Sequence, residues 1–252
     1  MIRIRAPGRI CLFGEHQDYL NFPVIAMAIS KYITLVARKI HSHEMLMDLP
    51  DTGDELNIPL GEGELEYKTD RDYLRSVYNQ FIRQGIEFTQ GYRIKITGNI
   101  PINAGVASSS ALVIAWAYFL NHVSGERIKR KANLAFLGHE AEVKEFKEAG
   151  GMMDHFASVM GNVIYLKPRD LKPSFRSANI QLEGIVLGDS LERKQTVEDL
   201  KKTKNGAMNA FKSLEKLYPD FTPMKSTLQE IRSFLPDLSE KARQMIKGNL
   251  KN

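Results

Sequence analysis

The stretch Gly98-Asn99-Ile100-Pro101-Ile102-Asn103-Ala104-Gly105-Val106-Ala107-Ser108-Ser109-Ser110-Ala111-Leu112 constrains the fold more than any other. It reads as a strand end, a loop of small residues and a helix start. The helix that follows, Ala111 to Leu120, is apolar almost all round, and such a helix belongs inside a core. Its first turn carries three consecutive serines. Helix N-termini present unpaired N–H donors and a partial positive charge, so they receive anions. A loop poor in side chains lets backbone approach a ligand closely. The stretch is neither G-x-x-x-x-G-K-[ST] nor G-x-G-x-x-G, which excludes the two best-known phosphate loops. By itself it is equally an ordinary Ser-capped core helix after a Pro/Gly turn.

The chain around it has 252 residues, 43% hydrophobic and 26% charged, the balance of a globular protein large enough for one or two domains. No apolar run has the length of a membrane span. Residues 2 to 5 alternate apolar and basic from the start, so no signal peptide is expected. A single cysteine, Cys11, forbids an internal disulfide, and a cytoplasmic location is expected. The net charge is +5, with basic clusters at 127–131 and 201–204; these read as solvated helix faces, and no nucleic acid or membrane partner is expected.

Taken in order, residues 2–5 form a strand that Ala6-Pro7-Gly8-Arg9 interrupts and Ile10 to Phe13 resumes. Two further strands are predicted at 24–29 and 32–37, with a polar loop from Gly14 to Pro23 before them. Glu15, His16 and Asp18 on that loop suit sugar hydroxyls, a metal or plain turn hydrogen bonds. Short strands follow in 42–70, then a helix at 72–82 with Leu74, Val77, Tyr78, Phe81 and Ile82 on one face, and a strand at 92–97. A helix is predicted over 127–146, with Glu142 one turn after His139. The pair Gly150-Gly151 opens a short helix with Asp154 in its first turn, where an acid either complements the dipole or, among Met152, Met153 and Phe156, serves a function. Strands are predicted at 162–166 and 184–190, a domain boundary at 167–173, and helices at 192–217, 223–234 and 237–250.

Three blocks together resemble the GHMP kinase superfamily: APGRICLFGEHQDYL at 6–20, similar to the N-terminal galactokinase signature; PINAGVASSSAL at 101–112, similar to the superfamily phosphate loop; and GGMMDHFAS at 151–159, similar to the segment with the catalytic aspartate. The resemblance implies an α+β, two-domain fold. A ribosomal-protein-like βαβ domain would occupy 1–167, and a partial, mostly helical C-terminal domain 168–252. It implies ATP-dependent phosphorylation of a sugar hydroxyl, the anomeric one; the alternative reading is a catalytically silent sugar- or nucleotide-binding regulator, or one half of a split kinase. Gly105, Val106, Ala107, Ser108, Ser109 and Ser110 would cradle the nucleotide phosphates. Ser109, with Ser110 as fallback, and Glu142 would hold Mg²⁺, a hard cation suited to oxygen ligands. Asp154 would orient or deprotonate the hydroxyl, and Arg9 would sit beside it and keep it ionised. Glu15, His16 and Asp18 would contact the sugar, and a small-molecule sugar is the expected partner.

The chain departs from that pattern at Cys11 and Gln17, where galactokinases usually have Asn and Thr. No aromatic stands near 239–243 to match the family's sugar-touching tyrosine, and no glycine cluster follows Gly161. These departures leave the sugar open and make a complementing C-terminal chain or a second copy of this chain a candidate partner.

Overall fold

The computed structural model describes residues 1–168, 173–180, 182, 184–188 and 196–250. In chain order they form β1 (Ile2–Phe13), β2 (Val24–Lys39), β3 (Glu44–Leu49), β4 (Asp54–Pro59), α1 (Tyr73–Ile82), β5 (Tyr92–Gly98), α2 (Ser108–Val123), α3 (Lys131–His139), α4 (Met153–Met160), β6 (Val163–Lys167), β7 (Ser174–Ala178), α5 (Thr196–Leu217) and α6 (Glu240–Leu250).

One mixed sheet runs β4-β3-β5-β2-β6-β7, with β1 paired to β2; β3 and β5 are parallel and every other pair is antiparallel. The long β2 takes β6 along Val24–Met27 and β5 along Ile33–Lys39. The interruption expected at 6–9 is a register irregularity between Pro7 and Arg9, not a break in the strand. β1 is continuous, and between the pairs Pro7↔Tyr32 and Arg9↔Ala28 the irregularity puts Gly8 opposite the three residues Ile29 to Lys31 of β2. The two strands expected at 24–29 and 32–37 are therefore one strand with a bulge, each half serving a different neighbour.

The helices α1 to α4 supply the side chains that bury the sheet. Leu35, Met45, Ile58 and Ile94 meet Tyr78 and Phe81 of α1 and Trp116 and Phe119 of α2. Ala6, Val24, Ala26 and Ile164 meet Ile114 of α2 and Phe156 of α4. Thus α2 belongs to both clusters, as its all-round apolar sequence requires. Trp116 is fully buried, and its indole N–H donates to the Leu74 carbonyl at 2.9 Å, which satisfies the one polar atom a buried Trp carries.

Three expected elements differ. The helix expected over 127–146 begins at Lys131, because the Asn121 side chain accepts from Ile128 N (2.8 Å) and donates to Ile128 O (3.1 Å), holding 127–130 as a loop. It then widens into a π-helical turn at Glu140–Lys144, where Glu145 N donates to Glu140 O at 2.9 Å. The segment expected as a helix at 223–234 is a series of turns between Pro223 and Pro236. Residues 184–188 pair with no strand among the described residues; the rest of that expected strand and residues 192–195 lie outside the described residues, as do 169–172 of the expected boundary.

The C-terminal helices build a third cluster of Ala210, Phe211, Leu214, Phe221, Ile231, Leu235, Leu238 and Ile246, and it takes in Phe22 from the loop between β1 and β2. Among the described residues, no helix is long and apolar enough to cross a membrane.

Candidate functional site

Gly8 is the first determinant of the site. A Cβ there would stand 2.7 Å from the Val106 carbonyl oxygen, so only glycine lets β1 lie against the loop before α2. The next residue uses that closeness twice: Arg9 N donates to Val106 O at 3.1 Å, and its guanidinium Nη1 donates to Gly105 O at 2.6 Å. The remaining face of the guanidinium forms a fork on Asp154, Nε to Oδ1 at 2.7 Å and Nη2 to Oδ2 at 2.9 Å. Burial would lower the Arg9 pKa, but the Asp154 charge and hydrogen bonds, with Glu15 and Asp18 behind them, raise it above the ordinary arginine value. Arg9 is 8% exposed and Asp154 27%, so the pair is sheltered while the carboxylate still faces a cavity.

Asp154 sits in the first turn of α4 without capping it. That task falls to Asp18, whose Oδ2 accepts from Met153 N at 2.9 Å. The fit is close: a Cβ on Gly151 would overlap the Asp18 carboxylate, so the second glycine of the Gly150-Gly151 pair is required for this contact. Burial and the neighbouring Asp154 push the Asp18 carboxyl up to about 6, against the lowering effects of the Met153 N–H, Arg9 and the Tyr19 N–H.

The loop from Asn103 to Ala107 turns through left-handed backbone at Asn103 (φ 58°), Gly105 (φ 74°) and Ala107 (φ 63°). α2 then starts at Ser108, with Ser110 buried and Ser108 and Ser109 half-buried. Glu142, at the middle of the π-helical turn, is 5% exposed, and its Oε2 lies 2.7 Å from His155 Nε2. Behind it, burial and the charges of His155, Lys144 and Lys204 push His139 down to about 3.

Arg9, Asp18, Asn103, Gly105, Ala107, Ser108, Ser109, Ser110, Glu142, Asp154 and His155 line one cavity of about 130 Å³, together with Glu15, His16 and Tyr19. Every residue expected to bind or react, apart from Val106, lines it. Val106 stands behind the wall and packs against the second core cluster. His16 is left-handed (φ 61°), with Nδ1 4.0 Å from Glu15 Oε1. Burial first, then Glu15, pushes the Cys11 thiol up to about 12, which favours the thiol over the thiolate.

Sequence reasoning missed several cavity residues. Arg71 forks onto Glu148 (2.7 and 2.9 Å), a long-range pair with no local spacing to betray it. Gln17 is 2% exposed and donates to Asn249 O at 2.9 Å, and Phe22 packs on Phe211, so the C-terminal helices clamp the loop that carries Glu15, His16 and Asp18. The apolar Leu20-Asn21-Phe22 segment after a polar run was the available signal.

A carboxylate whose two oxygens are fixed by one guanidinium can accept a hydrogen bond from an incoming hydroxyl. Amides at the start of α2 can receive phosphate, and Glu142 and Ser109 offer hard oxygen donors. Among the described residues no group of three His, Cys, Asp or Glu could hold a metal ion alone.

Comparison with known proteins is consistent with this arrangement. The GHMP kinases N terminal domain matches residues 72–162, and the galactokinase galactose-binding signature matches residues 2–39. The chain is 29% identical over 221 residues to a galactokinase of Thermotoga maritima, covering 85% of this chain and 61% of that protein. It is 27% identical over 240 residues to a galactokinase of Thermococcus kodakarensis, covering 94% and 65%. The chain thus spans about six tenths of the length of these relatives. Among solved structures, Lactococcus lactis galactokinase complexed with galactose superposes with a TM-score of 0.80 at 20% identity, covering 99% of this chain and 66% of that one. Methanococcus jannaschii mevalonate kinase superposes with a TM-score of 0.63 at 18% identity, covering 98% and 77%. These likenesses establish the fold.

Proposed function

We propose that the protein is a galactokinase-like GHMP kinase that transfers the terminal phosphoryl group of ATP to a hydroxyl of a sugar, a reading supported by the family matches at residues 2–39 and 72–162. The observation that carries this reading is the Arg9 side chain, which joins the Gly105 carbonyl of the phosphate loop to both oxygens of Asp154. One rigid group thereby ties the place where phosphate would lie to the carboxylate that would meet the acceptor. Phosphoryl transfer depends on positioning and on neutralising charge on the transferring group.

In this reading the Ser108, Ser109 and Ser110 end of α2 and the Gly105-Val106-Ala107 loop bind the nucleotide phosphates. Asp154 accepts a hydrogen bond from the acceptor hydroxyl and orients it, or takes its proton. Arg9 fixes Asp154 and faces the charge that builds on the phosphoryl oxygens. Glu15, His16 and Asp18 accept from or donate to the sugar's other hydroxyls. Ser109 and Glu142 fit Mg²⁺ because they are hard oxygen donors lining the same cavity, where nucleotide oxygens would complete the cation's shell. When bound, Mg²⁺ supplies charge neutralisation for those oxygens. Residues 1–167 carry all of these groups, and α5 and α6 hold the sugar loop through Phe211 and Asn249; a cytoplasmic location belongs to the same reading.

The test is ADP release from MgATP against a panel of aldoses and uronic acids. Sugar-dependent turnover that falls at least 10²-fold in Asp154→Asn, with nucleotide affinity kept, is expected. Turnover close to wild type in that variant removes Asp154 from the reaction. Binding of ATP or sugar with no turnover by the wild type would favour a binding regulator or one half of a split kinase.

A further inference from the structure

At the cavity wall His155, and behind it His139, form a buried pair of imidazoles that the reaction above does not use. His155 is 1% exposed and His139 3%, and the rings meet nearly edge to face, with centroids 5.6 Å apart and planes at 80°. His155 Nε2 is 2.7 Å from Glu142 Oε2. Its Nδ1 is buried with no hydrogen-bond partner, and so is His139 Nδ1, whose nearest carboxylate oxygen, Glu140 Oε1, is 3.9 Å away. We propose that His155 is a positioning residue for Glu142, holding that carboxylate in the orientation in which a divalent cation bound to nucleotide is received. The inference rests on the reading of Glu142 as a metal-binding carboxylate.

The first argument is the orphaned nitrogen. With Nε2 on Glu142, Nδ1 is left buried without a partner, and burying an unmatched polar nitrogen, donor or acceptor, costs free energy that an apolar side chain of similar size would not incur. Filling space is therefore a poor account of a histidine here, and the Nε2 contact to Glu142 is what only a donor supplies. Room is made for the ring as well. A Cβ on Gly138 would stand 3.1 Å from His155 Cδ2 and 2.7 Å from Ile114 Cδ1, so a side chain at 138 would push the imidazole off its partner.

The second argument is the backbone that presents Glu142. The helix widens into its π turn over Glu140–Lys144, with Glu142 at the centre, and such turns re-aim a side chain that regular helix would place elsewhere. Two separate features, a widened turn and a buried donor, thus converge on one carboxylate. Ligating carboxylates commonly need such an outer hydrogen bond to fix them. The third argument is adjacency. Asp154 and His155 are consecutive on α4, and one is held by Arg9 while the other holds Glu142. A single helix therefore sets both the hydroxyl-orienting carboxylate and the cation-receiving one.

The experiment compares wild type, His155→Gln, His155→Leu and His155→Asn by calorimetric binding of ADP with Mn²⁺ and of ADP with chelator, alongside thermal melts. The gain in ADP affinity conferred by Mn²⁺ should fall about 10–100-fold in His155→Leu. His155→Gln, whose amide can still donate to Glu142, should keep that gain within about threefold. Chelated ADP should bind all folded variants alike. If His155→Leu does not fold, the shorter His155→Asn takes its place. An unchanged Mn²⁺ gain in a folded His155→Leu or His155→Asn overturns the inference and leaves the kinase reading intact, and so does a loss in His155→Gln as large as in His155→Leu. A wild type with no Mn²⁺ gain overturns both this inference and the metal role of Glu142, while the Asp154→Asn turnover test still decides the kinase.

Discussion

Replacing Gly151 by alanine should lower stability through one identifiable contact. The new methyl would overlap the carboxylate of Asp18, whose Oδ2 accepts from Met153 N at 2.9 Å. The obstacle is a side-chain end, so the carboxylate can rotate away, but it then abandons the first N–H of α4. Losing a hydrogen bond to a charged acceptor costs about 1.5–3 kcal/mol. Overpacking adds about 1 kcal/mol, the low end of its range because no backbone must move. The sum is about 2.5–4 kcal/mol, which for a chain of this size lowers Tm by roughly 10 °C. Urea and thermal unfolding of wild type, Gly151→Ala, Asp18→Ala and the double variant measure it. With the carboxylate gone, the cost of Gly151→Ala should shrink below about 1 kcal/mol. Costs that simply add, within about 0.5 kcal/mol, would refute the contact between Gly151 and Asp18 as the cause.

Two other outcomes follow from the same region. Asp18 holds its proton to about 6 when folded, against 3.8 when unfolded, so its contribution to stability is present below about pH 4 and is lost as pH rises through 6. Asp18→Asn keeps an acceptor for Met153 N and removes the titration, so it should gain on wild type by on the order of 2–3 kcal/mol between pH 4.5 and 7.5; an equal difference at both pH values in urea unfolding would contradict the burial of a charged carboxylate. Ala107, at φ 63° and ψ 45°, carries a methyl in left-handed backbone, a cost of about 1 kcal/mol. Ala107→Gly should raise Tm by about 2–4 °C, and a fall in Tm would show that the methyl packs usefully.

Much of this architecture was legible because periodicity is local. α1 and its buried face, β5 and the all-apolar α2 follow from spacing within each segment. The two apolar runs read as separate strands inside β2 correspond to its two pairing partners, β6 and β5, but only the third dimension joins them through the bulge at 29–31. The late start of α3 depends on an Asn121 side chain that reaches Ile128, and the π turn has no composition of its own. For the site, spacing alone left Glu15, His16, Asp18 and Asp154 open between ordinary turn or cap roles and chemistry; the resemblance of three blocks chose between them. What no local pattern carries is that Asp18 caps α4, that Gln17 and Phe22 are gripped by helices more than 180 residues later in the chain, or that Arg71 meets Glu148.

The guanidinium of Arg9 ties together positions that leave a ribosome far apart in time. Its partners lie 96 and 145 residues downstream. At synthesis rates of about 5–20 residues per second, roughly 7–30 s separate the appearance of Arg9 from that of Asp154. β1 and β2 can pair long before then, since few residues separate them, but the guanidinium must wait with neither carbonyl nor carboxylate to bind. Contacts of such wide sequence separation form late and slowly, because the closure entropy comes before the reward. The fork on Asp154 thus marks a late step: a nascent chain can pair β1 with β2 and still lack the carboxylate at the centre of the site until α4 docks, and the C-terminal helices that grip the loop at Gln17 and Phe22 come later still.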